Sequence, residues 1–425
     1  MRAIAITAAW IAVIGGSLAH ADRRAPSTQD VRFQPGDPRS IYVASTFGLL
    51  ISHDDGCSFR WICAQRIGND GAFDPKYRVA ADGAIFATTA SGLRVSRDGG
   101  CTFAVATSEL PRGAAGRIAD LWIDAIELGP TGEVWVATAD AGKPSDIYRS
   151  TDNGVTFASR GLRSPAIWWK SVAIAATRPQ RVYATGYQVA GDSPSAQFEI
   201  TDDGGETWRA SPLAGVAFGA TPMVYAVAVD PWDPDLVFMT SAGAHPPSGD
   251  RLYRSIDGGT AWTEVLATAG AITDVAITHT GMLVTTRGGG SYRSLDAGAT
   301  FAAFTQPQLA CVGQRDDGAI FGCAANGAPD YEAVARARGA SWDKVLQFGE
   351  LAGPLACPGQ RDVCGPLPPE LGASNPPRCE APPPRTPPSK PRPPEVPGAL
   401  IVAGAVAVLV GLAVLRRKRK KACCS

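Results

Sequence analysis

One eight-residue phrase recurs along this chain and constrains its fold more than any other feature. Six copies read Ser/Thr-x-Asp-x-Gly-x-Ser/Thr-aromatic, one of them with alanine at the second hydroxyl position, and a degenerate seventh copy lies at 335–342. An aspartate at the head of a tight turn accepts backbone N–H groups, and a glycine two residues later tolerates a positive φ. We therefore predict hairpin turns held by structural aspartates, which are Asp54, Asp98, Asp152, Asp203, Asp257 and Asp296.

A second repeat precedes each phrase. Apolar segments flank polar turns, as in 31–43, 172–184 and 226–238, so each unit reads strand, turn, strand, loop, strand, phrase, strand. Such a unit is one four-stranded blade. Seven units over 25–348 predict an all-β, seven-bladed β-propeller. It is one domain, because blades bury their faces only against one another.

The phrase resembles the Asp-box, or BNR, repeat of sialidase-like and sortilin-like β-propellers. The resemblance implies that the phrases lie on the face opposite the usual ligand pocket. Sialidases carry an Arg-Ile-Pro phrase that is absent from this sequence. Asp-box endoglucanases use a cleft between two propellers, whereas this chain encodes one. The resemblance therefore favours a binding module over an enzyme.

The spacing of the phrases suggests where a ligand binds. Successive phrase aspartates are 44, 54, 51, 54 and 39 residues apart. We assign the extra residues to the loops between the second and third strands of blades three to five, at 139–146, 188–197 and 242–250. Aromatic side chains beside a few charges suit sugar or peptide recognition. The candidate ligand-binding residues at the starts of nearby first strands are Trp122, Asp124, Trp168, Trp169, Lys170 and Tyr225. Filling of the channel and of the blade interfaces is the alternative role for these aromatic residues.

We predict a module that binds an extracytoplasmic protein or glycan without a cofactor. A glycoside hydrolase, sialidase-like or endoglucanase-like, is the first alternative, and Asp124 and Asp274 would be its two carboxylates. A structural cell-envelope protein or assembly factor is the second. No metal site is expected, because the histidines are scattered and no CxxC pair occurs.

The two ends of the chain predict export and anchoring. Residues 1–21 have the charged start, apolar stretch and Ala-x-Ala ending of a signal peptide. A Pro-rich stalk is predicted at 380–397, an apolar transmembrane helix at 398–415 and a basic cytoplasmic tail at 416–425. The positive-inside rule then places the propeller outside the inner membrane, in the periplasm or at the cell surface. These last segments loosely resemble myxobacterial-type C-terminal sorting tags.

Charge and cysteine content agree with that placement. The chain has 40 basic and 40 acidic residues, and seven of the bases are Arg2 and the run 416–421. The remaining 33 bases against 40 acids leave the body acidic, at 33 − 40 = −7, which disfavours nucleic-acid binding. Eight of the ten cysteines precede the predicted span, an even number that suits disulfides. We expect a bridge between Cys311 and Cys323, and a second between Cys357 and Cys364 in the Cys-containing extension 349–379. Cys57, Cys63, Cys101 and Cys379 are left with three alternative pairings.

Overall fold

The computed structural model describes residues 25–69, 73–190, 194–247, 249–304, 307–328 and 330–365, and Leu371. Seven antiparallel four-stranded sheets follow one another along the described chain, and in each the strands pair in sequence order. The predicted seven-bladed, all-β propeller is thereby confirmed. The first strand of each blade is the innermost one.

The strand bounds, blade by blade, are as follows. Blade 1 has β1 Thr28–Gln34, β2 Asp37–Ser45, β3 Gly48–Ser52 and β4 Arg60–Cys63; blade 2 has β5 Tyr77–Val79, β6 Ile85–Thr89, β7 Gly92–Ser96 and β8 Ala104–Val105; blade 3 has β9 Ile123–Leu128, β10 Val134–Thr138, β11 Ile147–Ser150 and β12 Ala158–Ser159. Blade 4 has β13 Ile167–Ile174, β14 Val182–Gln188, β15 Ala196–Thr201 and β16 Arg209–Ala210; blade 5 has β17 Val224–Val229, β18 Val237–His245, β19 Gly249–Ser255 and β20 Thr263–Ala267. Blade 6 has β21 Ile272–Thr278, β22 Gly281–Thr286, β23 Ser291–Ser294 and β24 Ala302–Phe304; blade 7 has β25 Cys311–Gln314, β26 Ile320–Cys323, β27 Val334–Arg338 and β28 Ser341–Leu346.

The second strand of a blade shows why these sequences form stacked sheets. Every residue of β6 and of β10 is buried. Neighbouring blades cover both faces of such a strand, so its sequence is a continuous apolar run instead of an alternating one. The outer strands β8, β12 and β16 are only two residues long. The core therefore lies between the blades.

The recurring phrase forms the turn between the third and fourth strands of a blade. In blade 2, the Ser96 hydroxyl donates to Asp98 Oδ1 (2.8 Å) and accepts from the Gly100 amide (2.8 Å). The Thr102 amide and hydroxyl then donate to the two oxygens of Asp98, at 2.9 and 2.6 Å. In the copies around Asp203 and Asp296, hydrogen bonds led by those from the hydroxyls of Thr207 and Thr300 hold the pKa of the aspartate well below its usual range. The aspartates are thus fully engaged within their own turns.

The turn glycine also joins one blade to the preceding one. Gly100 has a φ of +94°, and a Cβ added there would lie 2.4 Å from Ile62 Cδ1 of blade 1. A Cβ added at Gly154 would likewise lie 2.6 Å from Phe86 Cε1 of blade 2, and one at Gly298 would lie 2.4 Å from Phe238 Cε1 of blade 5. The glycine is therefore required twice, by its backbone conformation and by the contact between blades.

The ring closes by side-chain contacts between blades 7 and 1, since each sheet consists of four consecutive strands. The Thr28 hydroxyl donates to the Ala333 carbonyl (3.1 Å), and Arg315 contacts Asp55 at 2.5 Å. Apolar residues of both blades, including Val31 and Phe321, share one buried cluster. No strand is exchanged between the described ends of the ring.

The extension after blade 7 strengthens this closure. It begins with the 3-10 helix Phe348–Glu350 and then runs parallel to β4, where the Trp61 amide donates to the Gly353 carbonyl (3.0 Å). The Leu355 amide donates in turn to the Trp61 carbonyl (2.8 Å). Helix α2, Gln360–Cys364, follows, and helix α1, Ala64–Ile67, continues from β4. The extension thus forms a parallel β-bridge along the outer edge of blade 1.

Two disulfides attach the extension to the ring. Cys101 pairs with Cys357 and Cys63 pairs with Cys364, so the predicted bridge between Cys357 and Cys364 is wrong. The reason is that the extension is hydrogen-bonded along β4, which directs its two cysteines to two different blades. The bridge between Cys311 and Cys323 is present and joins directly opposed residues of β25 and β26. Cys57 is disulfide-bonded as well.

The predicted signal peptide, stalk, transmembrane helix and tail lie outside the described residues. Within the described part of the chain, no helix has the length and apolar character needed to span a membrane.

Candidate functional site

The upper face of the ring is the face on which the first strands begin. It also carries the loops between the second and third strands, whereas the recurring phrases lie on the opposite, lower face. Blade 3 carries an extended upper loop at 139–146, the described residues 189–190 and 194–195 belong to the upper loop of blade 4, and blade 5 prolongs the hairpin of β18 and β19. The assignment of all the extra length to these loops is wrong, because the longest upper segment, 106–122, connects blades 2 and 3. Blade 7 adds a further loop at 324–333. The spacing of the phrases includes every residue between two lower turns. It therefore cannot distinguish a long loop within a blade from a long connection between two blades.

Buried carboxylates hold the upper loops of blades 3 and 5 in place. Asp146 is fully buried, and it accepts from the Ile147 amide (2.8 Å) and the Ser159 hydroxyl (2.6 Å). Burial raises its pKa. Asp250 accepts from the amides of Gly243 and Ile272, both at 2.7 Å. These carboxylates therefore tie the ends of both loops to the neighbouring strands.

Half-buried aromatic side chains form an upper layer on blades 2 to 4, which we call the aromatic layer: Phe73, Trp122 and Trp168. The rings of Phe73 and Trp122 are stacked, with centroids 5.1 Å apart and an angle of 22°. Asp140 links the two tryptophans, because its carbonyl accepts from Trp168 Nε1 (3.2 Å) and its carboxylate from the Trp122 amide (3.1 Å). The sequence predicted both tryptophans, and the structure brings them together.

Trp169 does not belong to this layer, and its prediction as a ligand-binding residue is wrong. Its side chain is 1% exposed and packs with Trp135 and Val182 between blades 3 and 4. Its indole N–H donates to the Leu162 carbonyl (3.0 Å). Successive residues of a strand point to opposite sides, so Trp168 and Trp169 cannot both face the site.

Charged side chains lie below the aromatic layer. We call them the charged layer: Lys76, Asp124 and Lys170, with the neutral phenol of Tyr225 beside them. Asp124 and Lys170 follow Trp122 and Trp168 by two residues, and each lies at a bulge where the pairing register of its strand shifts. Lys170 Nζ lies 2.7 Å from one oxygen of Asp124, and Lys76 Nζ lies 3.9 Å from the other. Burial, reinforced by the charge of Asp124, raises the pKa of Tyr225 to about 12, so its phenol is protonated.

The charged layer opens into a central cavity of about 740 Å³ lined by the first strands of blades 1 to 6. Deeper in this cavity, Arg78 contacts Glu127 at 2.8 Å and Asp30 at 3.7 Å. Arg32 contacts Asp30 at 2.8 Å. The deep channel is therefore a network of mutually compensated charges.

Asp274 lies in this deep network, where Arg32 and Asp30 are its charged neighbours. It accepts from the amides of Val275 (2.9 Å) and Val312 (3.1 Å). Burial raises its pKa, with Arg32 opposing that shift and Asp30 adding to it. The structure thus gives Asp274 and Asp124 different charged neighbours, Arg32 and Asp30 for the first and two lysines for the second.

Several residues of the channel and of the aromatic layer were not predicted from the sequence. A signal was present, because the first strands of blades 1 and 2 carry charged residues two apart around a buried one, at Val31 and Tyr77. Aligning the seven units on their first strands would have exposed this pattern. The missed residues are Asp30, Arg32, Phe73, Lys76, Arg78, Glu127 and Asp140.

Comparison with known proteins supports the fold. No protein-family model matches the chain. A stretch of 146 residues, 32% of this chain, is 27% identical to the xyloglucanase Xgh74A of Acetivibrio thermocellus but spans only 16% of that enzyme. The GH74 xyloglucanase of Xanthomonas campestris shares 17% identity at a TM-score of 0.42, over 74% of this chain and 57% of its own. PorZ, a surface component of the type-IX secretion system of Porphyromonas gingivalis, shares 17% identity at a TM-score of 0.51, over 77% and 47%. The likeness to PorZ agrees with the propeller described above.

Proposed function

We propose that this chain is a non-catalytic binding protein that captures a glycan on its upper face. The observation that carries the proposal is the aromatic layer, placed directly above a charged layer at the mouth of a cavity. Sugar rings have apolar faces that pack on aromatic side chains, and their hydroxyl groups need a few well-placed polar partners. The upper loops of blades 3 to 5 would complete the site.

The proposal includes the nature of the lower-face turns and the location of the protein. We take the turns to be Asp boxes, since each aspartate is engaged by its own turn and none faces the cavity. Disulfides persist in oxidising compartments, and the two bridges of the extension therefore support export across the inner membrane. Retention there by a C-terminal span remains part of the proposal.

Replacement of Trp168 tests the binding site. The purified full chain and its Trp168→Ala variant are screened on a glycan array and by pull-down from envelope extract. We include xyloglucan oligosaccharides, because a partial relative is a xyloglucanase. Trp232→Ala is the matched control, since Trp232 is 53% exposed on a lower turn of blade 5. We expect Trp168→Ala to abolish glycan capture and Trp232→Ala to retain it. Equal capture by both variants would refute the site.

A glycoside hydrolase of the same fold is the second candidate. It is favoured by one observation, the raised pKa of Asp274, because a protonated carboxyl is what a general acid requires. Released reducing sugar is therefore measured in the same samples. If product appears with the native chain and disappears with Asp274→Asn, the protein is an enzyme and not a non-catalytic binding module.

A further inference from the structure

We infer that the captured glycan is acidic, and that Lys76 and Lys170 receive a sugar carboxylate at the mouth of the channel. The expected ligand class is an oligosaccharide of uronic acid residues. This inference rests on the proposed function and specifies its ligand.

The charge arrangement carries the first step. Two ammonium groups share the single carboxylate of Asp124, with Lys170 in direct contact and Lys76 at 3.9 Å. The arginines below them are already engaged with Asp30 and Glu127. Asp74 also lines the cavity, so the two lysines and the two aspartates of the mouth balance in charge. The lysines are nevertheless the cations of the mouth that a ligand entering from the upper face meets first.

The state of Lys76 supports this step. Burial lowers the pKa of Lys76, and the neighbouring charges of Lys170 and Arg78 add to that effect, while Asp124 opposes it. The site thus penalises the charged form of the lysine, so a second carboxylate would stabilise it. The side chain of Lys76 is nevertheless 47% exposed at the mouth of the cavity, so water offsets part of this penalty and the side chain stays accessible to a ligand.

The aromatic layer carries the second step. Trp122 and Trp168 precede Asp124 and Lys170 by two residues, so the aromatic layer adjoins the charged layer along the same two segments of chain. A pyranose ring packed on these aromatic side chains would hold an equatorial carboxylate on its edge, directed towards the charged layer. A neutral sugar would fill the same space and leave the lysines without this partner.

The test compares one ligand in two charge states. Trigalacturonic acid and its methyl ester have the same backbone, and only the acid carries carboxylates. We expect the ester to bind the purified full chain at least tenfold more weakly by calorimetric titration. Lys170→Met and Lys76→Met should each weaken binding of the acid at least tenfold and leave the ester unaffected. Lys344→Met makes the same charge change on the outer strand of blade 7 and should change neither affinity.

Asp124→Asn should change the affinity for the acid in the opposite direction to the lysine variants. If the lysines receive the ligand, removal of their present partner should strengthen binding of the acid. Weaker binding would show that Asp124 itself holds the ligand and would overturn the inference. If Lys170→Met fails to fold, the more exposed Lys76 provides the same test.

Failure of the inference differs from failure of the proposed function. Equal affinity for acid and ester, with dependence on Trp168, would refute the lysine site and preserve glycan capture. Capture of neutral glycans alone would also refute the lysine site while preserving glycan capture. If no glycan is captured in a way that depends on Trp168, the proposed function itself is refuted.

Discussion

Replacing Gly100 with alanine should loosen the joint between blades 1 and 2, and the adjacent Gly99 supplies an internal control. Both glycines lie in the same lower turn with positive φ, +71° at Gly99 and +94° at Gly100. They differ in their surroundings, since no atom lies within 4 Å of a Cβ built at Gly99. A Cβ at Gly100 meets Ile62, which is fully buried and cannot move into solvent.

The two contributions can be estimated separately. Forcing a residue with a Cβ into the left-handed region costs about 1–2 kcal/mol, and this is the whole penalty expected for Gly99→Ala. Overpacking of a filled core costs about 1–3 kcal/mol more. We therefore expect Gly100→Ala to lower the free energy of unfolding by about 2–5 kcal/mol in total.

Urea unfolding of the two variants with intact disulfides measures this difference. The midpoint should fall for both and further for Gly100→Ala, with an unchanged slope. Equal midpoints for the two variants would refute the reasoning, because they would show that the turn glycine makes no energetically significant contact with the preceding blade.

Two further predictions concern the extension and the lower turns. The double variant Cys63→Ser/Cys364→Ser should lose about 2–5 kcal/mol of unfolding free energy, and an unchanged urea midpoint would show that the extension does not stabilise the ring. Burial opposes the pKa shift of Asp152, but hydrogen bonds led by the one from Thr156 outweigh it and lower the pKa to about 2. A carboxylate with a depressed pKa stabilises the fold above about pH 4 and loses that effect as the pH falls towards 2. Thermal unfolding should therefore depend less on pH in Asp152→Asn over this interval, and an identical pH dependence would contradict the assignment.

The sequence predicted the parts of this fold that are determined locally. Each lower turn is specified within eight residues, and seven repetitions fix both the number of blades and their strand order. Bridging of Cys311 to Cys323 was equally visible, because both residues belong to one hairpin. Trp168 was predicted correctly as a residue of the upper face, whereas its neighbour Trp169 is buried. The register of β13 determines which of the two tryptophans is buried between blades, and their own sequence does not reveal that register.

Features that depend on distant segments were not predictable in the same way. The partners of Cys357 and Cys364 follow from the path of the extension along β4, and no local pattern marks that path. The charged channel was missed for a similar reason. Its residues come from the first strands of several blades, and each strand contributes only one or two charges.

The closure of the ring and the chemistry of the channel are therefore connected. Asp274 of blade 6 accepts from the Val312 amide of blade 7 and interacts electrostatically with Arg32 of blade 1. The deep charge network thus spans the joint at which the ring closes, and the extension reinforces the outer edge of that same blade 1. A ring that opened at this joint would remove the charge of Arg32 that opposes the rise in the pKa of Asp274, whereas Arg32 would keep its contact with Asp30 on the same strand. The disulfides of the extension consequently reinforce this joint from the outer edge of the ring without lining the cavity.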